Sequence, residues 1–162
     1  MAELTQLDEK LAEVMGLAQA AKEATAKVRK LVDDKQVDAT LGRMREEAIE
    51  TAKRCEQVAA ERDGKKSAIK AKARETKTEA QEMMDTYLGD DADGLDGLEF
   101  LTMAEAGEVG HVEILGVMGA KAGDQSVTKL VKWAAPIQER HLANTRKASL
   151  KLARAEDPLE VS

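Results

Sequence analysis

Cysteine is nearly missing from this chain: Cys55 is the only one among 162 residues. That excludes an internal disulfide and any metal cage built from several thiolates of one chain, and it fits a reducing compartment. Aromatic residues are equally scarce at 2%, and proline occurs twice. With Ala, Glu, Lys, Leu and Arg dominating instead, the composition is that of long helices packed through small and aliphatic side chains. No stretch approaches the roughly 20 apolar residues needed to span a bilayer. The acidic N-terminus, MAELTQLDEKLAEVMG, lacks the basic-then-apolar order of a secretory signal. A basic stripe is lacking too, because the net charge of -6 is spread as mixed signs, which argues against a nucleic-acid partner. The expectation is a soluble cytoplasmic protein with neither membrane nor nucleic acid as partner, folded as one domain over residues 1–162 with roughly two thirds of its unfolded surface buried.

What is present is helical periodicity. Leu4, Leu7, Leu11, Val14, Ala18, Ala21, Thr25, Val28 and Val32 recur at spacings of three and four, which predicts a first helix over about 3–33. Asp33-Asp34 interrupts it. Val37, Leu41, Met44, Ala48, Thr51, Cys55 and Val58 make one face of a second, about 38–62, ended by Asp63-Gly64. A weaker stripe of Ile69, Ala73, Thr76, Ala80, Met83 and Tyr87 predicts a third, shorter helix over about 67–88 lying on the bundle. Continuation through Gly64 into one long helix is the alternative. The acidic run Gly89–Gly94 lacks the ligand register of an EF-hand and reads as a solvated turn. Helices over about 95–122 and 125–155 complete an all-α antiparallel bundle, with Gly123-Asp124 between them and Pro158 after the last. Pro136 is expected to kink the fifth helix or force a local adjustment.

Placing residues at 100° steps decides which polar groups face inward. In EAGEVGHVEILG, Glu105 and Glu108 lie near the centre of the stripe formed by Leu98, Leu101, Val112 and Leu115, with His111 about a quarter-turn to one side. On the fifth helix His141 lies at the centre of the stripe of Val127, Leu130, Ala134, Ile137, Ala148 and Leu152, with Gln138 beside it. Glu113 and Glu139 point away. An ionised carboxylate buried without a partner costs several kcal/mol, so two of them one turn apart demand compensation from a divalent cation or from protein side chains. Glu108-Val109-Gly110-His111 has the Glu-x-x-His spacing with which bundles build carboxylate-rich metal sites, and Gln138-Glu139-Arg140-His141 is a near copy with an amide in the first position. Glu-rich helices also produce this spacing by chance, and a polar patch in a loosely packed or partner-covered groove explains it as well. Cys55 reads as a small buried hydrophobe, Met83, Met84, Met103 and Met118 as gap fillers, and the run from Lys65 to Glu82 as a solvated face. Gly107, Gly110, Gly116 and Gly119 permit close helix approach.

His111-Val112-Glu113-Ile114, the run on to Gln138-Glu139-Arg140-His141 and, more faintly, Leu7-Asp8-Glu9-Lys10-Leu11 and Glu46-Glu47 with Glu50 resemble the ferritin-like superfamily, within it the YciF-like bacterial stress-protein branch. The resemblance implies a ferritin-like four-helix bundle with an additional short helix, a homodimer, and an iron centre held by glutamates and histidines that reacts with oxygen or peroxide, as in a ferroxidase- or peroxidase-like oxidoreductase. Carried over by position, it makes Glu9, Glu50, His111 or its neighbouring acid, and Glu139 candidate ligands. Facing disputes part of that set, since Glu9 falls opposite its stripe, Glu50 lies well off the stripe of the second helix and Glu139 faces away from His141. Facing alone favours Glu105, Glu108 and His141, with His111 and Glu47 at the edges. The candidate metal ligands are therefore Glu47, Glu50, Glu105, Glu108, His111 and His141, and oxygen with imidazole favours iron or manganese. The alternative is a metal-free helical scaffold or partner-binding bundle.

Overall fold

Four of the five helices begin where the chain supplies a side-chain acceptor for the free N–H groups of a first turn. In the computed structural model, which describes residues 1–161, these are α1 (Gln6–Arg29), α2 (Lys35–Ala60), α4 (Gly94–Ala122) and α5 (Gln125–Ala155). Thr5 and Asp93 start α1 and α4 with reciprocal capping boxes, closed by Asp8 and Asp96, while Asp34 and Asp124 cap α2 and α5. The capping box starts α1 three residues later than its apolar stripe suggests, and Asp34 starts α2 three residues earlier. The remaining helix, α3 (Lys66–Tyr87), has no side-chain cap. Gly64, at φ +69°, separates it from α2, so the single long helix is not formed. Asp93 spends its carboxylate on the cap and the acids of 89–94 are exposed, as a solvated turn requires. Helix α5 runs unbroken through Pro136. Among the described residues no helix is long and apolar enough to cross a membrane.

The five helices pack antiparallel into an all-α bundle in which α1 is central, touching α2, α3 and α4, while α5 lies against α4 and α2. Two close approaches depend on missing side chains. A Cβ on Gly16 would collide with the carbonyl oxygen of Ala73, so α3 rests on the bare backbone of α1 there. A Cβ on Gly119 would lie 2.5 Å from Val127 Cγ1, and one on Gly116 would lie 2.9 Å from Val131 Cγ1, which sets the α4–α5 contact. Gly107 and Gly110 instead face open space.

The core is divided. Leu11, Met15, Cys55, Ile69, Leu115 and Val127 belong to one apolar cluster. Val28, Leu41, Met44, Leu98, Leu101 and Ala148 belong to another. Burial pushes the Cys55 thiol up to about 12, which leaves it a small inert hydrophobe. Between the clusters the chain places Glu105, Glu108, Gln138, His141, Thr51 and Thr145, all buried, as a polar waist. Helix α1 crosses this level with Ala18 and Ala21.

One end of the bundle is clamped by charge. Asp8 of α1 accepts from Lys65 Nζ at 2.8 Å, and Asp124 pairs with Arg62 at 2.6 Å. Both acids are locked to the α2–α3 connection. Burial alone would raise the Asp8 carboxyl, but Lys65 and the Thr5 hydrogen bonds outweigh it and hold it below the usual range. For Asp124 burial is likewise outweighed, by the Val127 N–H and by Arg62. A carboxylate whose folded pKa is lowered stabilises the fold above its unfolded pKa and loses that contribution as pH falls through the folded value. Asp8→Asn is accordingly expected to lower stability by about 2 kcal/mol at pH 7, with the gap to wild type narrowing towards pH 3; urea denaturation at the two pH values measures it.

Candidate functional site

The waist is built by facing pairs on α4 and α5, with α2 closing one side. One helical turn separates Glu105 from Glu108, and another separates Gln138 from His141, so each helix presents two polar side chains to the same level. The Gln138 amide stands at the centre. Its Nε2 donates to Glu105 Oε2 at 2.8 Å and to Glu108 Oε2 at 2.8 Å, which uses both of its hydrogens. Beyond Glu105 the ring of His141 continues the chain: Nδ1 lies 3.6 Å from Glu105 Oε2 and Nε2 lies 3.4 Å from Glu47 Oε1. At the surface Arg140 pairs with the second oxygen of Glu47. The chain of contacts thus runs from Arg140 through Glu47, His141, Glu105 and Gln138 to Glu108.

Electrostatics at the inner end are set by burial. Glu105 is 1% exposed and Glu108 is 8% exposed, and the nearest donor they share is a neutral amide. Burial first, and the charge of Glu105 second, push the Glu108 carboxyl well above the usual glutamate range, against the opposing effect of the Gln138 hydrogen bond. A proton on Glu108 is the form this environment favours, because it removes the repulsion within the pair.

The remaining candidates are scattered. His111 sits on the rim between α1 and α4, 3.3 Å from Glu13 Oε2 and 3.3 Å from Lys10 Nζ, outside the waist. Glu50 is half exposed and bonds Arg54 one turn along its own helix at 3.0 Å. Glu9, Glu113 and Glu139 are exposed, as their facing indicates. The structure therefore brings together Glu105, Glu108, His141 and Glu47, and leaves His111 and Glu50 apart from them. Sequence facing does not identify Gln138 as the bridge between the two carboxylates or Arg140 as the partner of Glu47. The available signal is a buried amide one turn before a buried histidine, followed by a cation adjacent to that histidine.

The donor set can be tested against the metal centre that the ferritin-like resemblance implies. A carboxylate-bridged pair of cations draws on acids from all the long helices, but α1 passes the waist with alanines and its Glu9 is exposed. A donor nitrogen occupies the space between the two carboxylate oxygens where a cation would sit. Among the described residues no three His, Cys, Asp or Glu side chains are grouped to hold a metal ion. As arranged, these residues do not fit a two-cation centre. Comparison with protein-family models, with curated proteins and with solved structures returned no match, so the chemistry of the site rests on its own geometry.

Proposed function

We propose that the chain is a metal-free, non-enzymatic helical bundle with a binding role, in which an amide and a proton neutralise a carboxylate pair that a cation neutralises in ferritin-like proteins. The observation that carries this reading is the two-armed hydrogen bond from Gln138 to Glu105 and Glu108. The pairing of α1 with α2 and of α4 with α5 around a polar waist supports a ferritin-like topology; the donor set is what departs from it. A second copy of the chain is the proposed partner at the outer face of α4, where Ile114 and Val117 are exposed and Gly110 leaves open space.

Iron or manganese is the second reading, favoured by the imidazole of His141 standing between the carboxylates of Glu47 and Glu105. A Gln138 amide turned end for end would present oxygen instead of nitrogen to both glutamates, an arrangement that only a cation or further carboxyl protons make favourable. Metal analysis of protein purified without chelator separates the two readings, with absorbance after addition of iron and peroxide as the activity arm. The expected result is no stoichiometric metal and no iron oxidation above the buffer rate. Stoichiometric iron or manganese, released together with the loss of stability when Glu108 is replaced by alanine, would establish the second reading instead.

A further inference from the structure

Beside the waist, α3 and α4 separate and leave a groove floored by α1. At its N-terminal half α3 is held tightly to α1 at Gly16 and Ala73, and towards its C-terminus Met84 and Leu88 are buried while Met83 is 60% exposed and Met103 on α4 is 48% exposed. The space between is a cavity of about 220 Å³. Tyr87 and Phe100, with ring centroids 5.6 Å apart, hold α3 and α4 together near one end, and His111 marks the other. Three small residues of α1, Ala20, Ala21 and Ala24, form the floor, and methionines form much of the walls. Methionine side chains adapt to the shape of what they enclose. Glu105 and Glu108 both line this cavity, and no Lys or Arg among the described residues does.

An apolar cleft with a few convergent polar groups is the ordinary form of a small-molecule site, and clefts between the helices of bundles are among its usual places. The chemistry of the occupant follows from the lining. The alanines, methionines and Phe100 suit an apolar body, and Glu105 and Glu108, which share a neutral amide as donor, suit a positive head. An anion is excluded by the same acids. A dry cavity of about 150 Å³ takes one benzene ring, so this one takes a ring and a short arm. We propose that the groove between α3 and α4 binds a small amphipathic amine, its apolar body against Met83, Met84, Met103 and Phe100 and its ammonium group against Glu108 and Glu105. This assignment rests on the metal-free reading of the waist, because a cation bound by the same carboxylates would occupy the place of the ammonium.

The test uses 2-phenylethylamine as probe, against 2-phenylethanol and 3-phenylpropanoate, which share its body and differ in head charge. Binding to the full chain is followed by the methyl resonances of labelled methionine, after chelator treatment and with metal content measured on the same sample before and after. The amine is expected to saturate and to shift Met83, Met84 and Met103, binding about tenfold or more tightly than the alcohol, as a charge-assisted contact implies, with the carboxylate silent. In Glu108→Gln the amine is expected to fall to the affinity of the alcohol while the alcohol is unaffected, which a merely structural role for Glu108 would not produce. Equal binding of all three probes, absence of saturation by the amine, or unchanged amine affinity in Glu108→Gln overturns the proposal. If the untreated protein carries stoichiometric metal and binds amine only after chelation, the groove assignment stands and the metal-free reading fails. A metal-free protein that ignores the amine refutes the groove alone.

Discussion

Glu108→Gln is expected to raise the thermal midpoint at pH 8 by about 5–10 °C while leaving it unchanged near pH 4. Glutamine is isosteric with the protonated acid and its side-chain oxygen still accepts the Gln138 hydrogen bond, so the packing of the waist is preserved. What is removed is the cost of ionisation. Because burial and the neighbouring Glu105 raise the Glu108 carboxyl in the folded chain, the folded state holds a proton that the unfolded state releases near its ordinary pKa. Stability of the wild type therefore falls as pH rises through that window, by up to about 1.4 kcal/mol per pH unit for one proton. The variant lacks this slope. A gain of about 2–3 kcal/mol at alkaline pH corresponds to the stated shift in midpoint for a chain of this size. Thermal melts of both proteins at several pH values measure it, and two parallel pH profiles would mean that Glu108 ionises freely in the fold. This dependence is opposite in sign to that of the Asp8 and Asp124 clamp, which fails in acid, so the wild type is expected to be most stable at mildly acidic pH.

Gln138→Glu is expected to cost about 3–5 kcal/mol at pH 7 in the absence of divalent ions, the usual consequence of leaving buried charge without a partner. The substitution changes no volume. It replaces the amide donor shared by Glu105 and Glu108 with a third acid and completes a Glu-x-x-His pair with His141. Manganese(II) is expected to restore the variant, raising its stability with concentration as mass action requires, and to leave the wild type indifferent. Chemical denaturation of both proteins with and without manganese(II) decides it. A wild type that manganese(II) stabilises as strongly as it stabilises the variant would show that the amide is no substitute for a cation.

The inward facing of Glu105, Glu108, Gln138 and His141 was legible in the sequence because a helix converts spacing into direction, and the stripes of α4 and α5 are long enough to fix that direction. The whole face predicted for α2, from Val37 to Val58, is buried for the same reason. Periodicity carries no information about how two helices are rotated against each other, so the bridge from one amide to two carboxylates was not legible, nor was the reach of Glu47 to His141. The stripe assigned to α3 fails in its second half. Ile69 and Ala73 are buried, but Met83 and Tyr87 are exposed and Met84 and Leu88 are buried instead. A helix held mainly by one neighbour has a narrow contact face, and which residues it buries depends on where Gly16 lets it touch α1. Of the four glycines expected to admit a close helix, Gly116 and Gly119 do so, while a Cβ on Gly107 or Gly110 would meet none of the described residues within 4 Å. Composition cannot separate these cases, because it does not say which face of α4 meets α5.

The central claim is that an amide and a proton, with no cation, neutralise the carboxylate pair. The most direct measurement is a pH titration of the side-chain carboxyl carbons in protein labelled with carbon-13 glutamate, with Glu108→Gln providing the assignment. The expected result is one glutamate that stays protonated after the solvent-exposed glutamates have ionised, and whose resonance is missing from the variant. A Glu108 that ionises together with them, or earlier, would contradict the account, since only a bound cation or an open, solvated waist would hold that carboxylate charged.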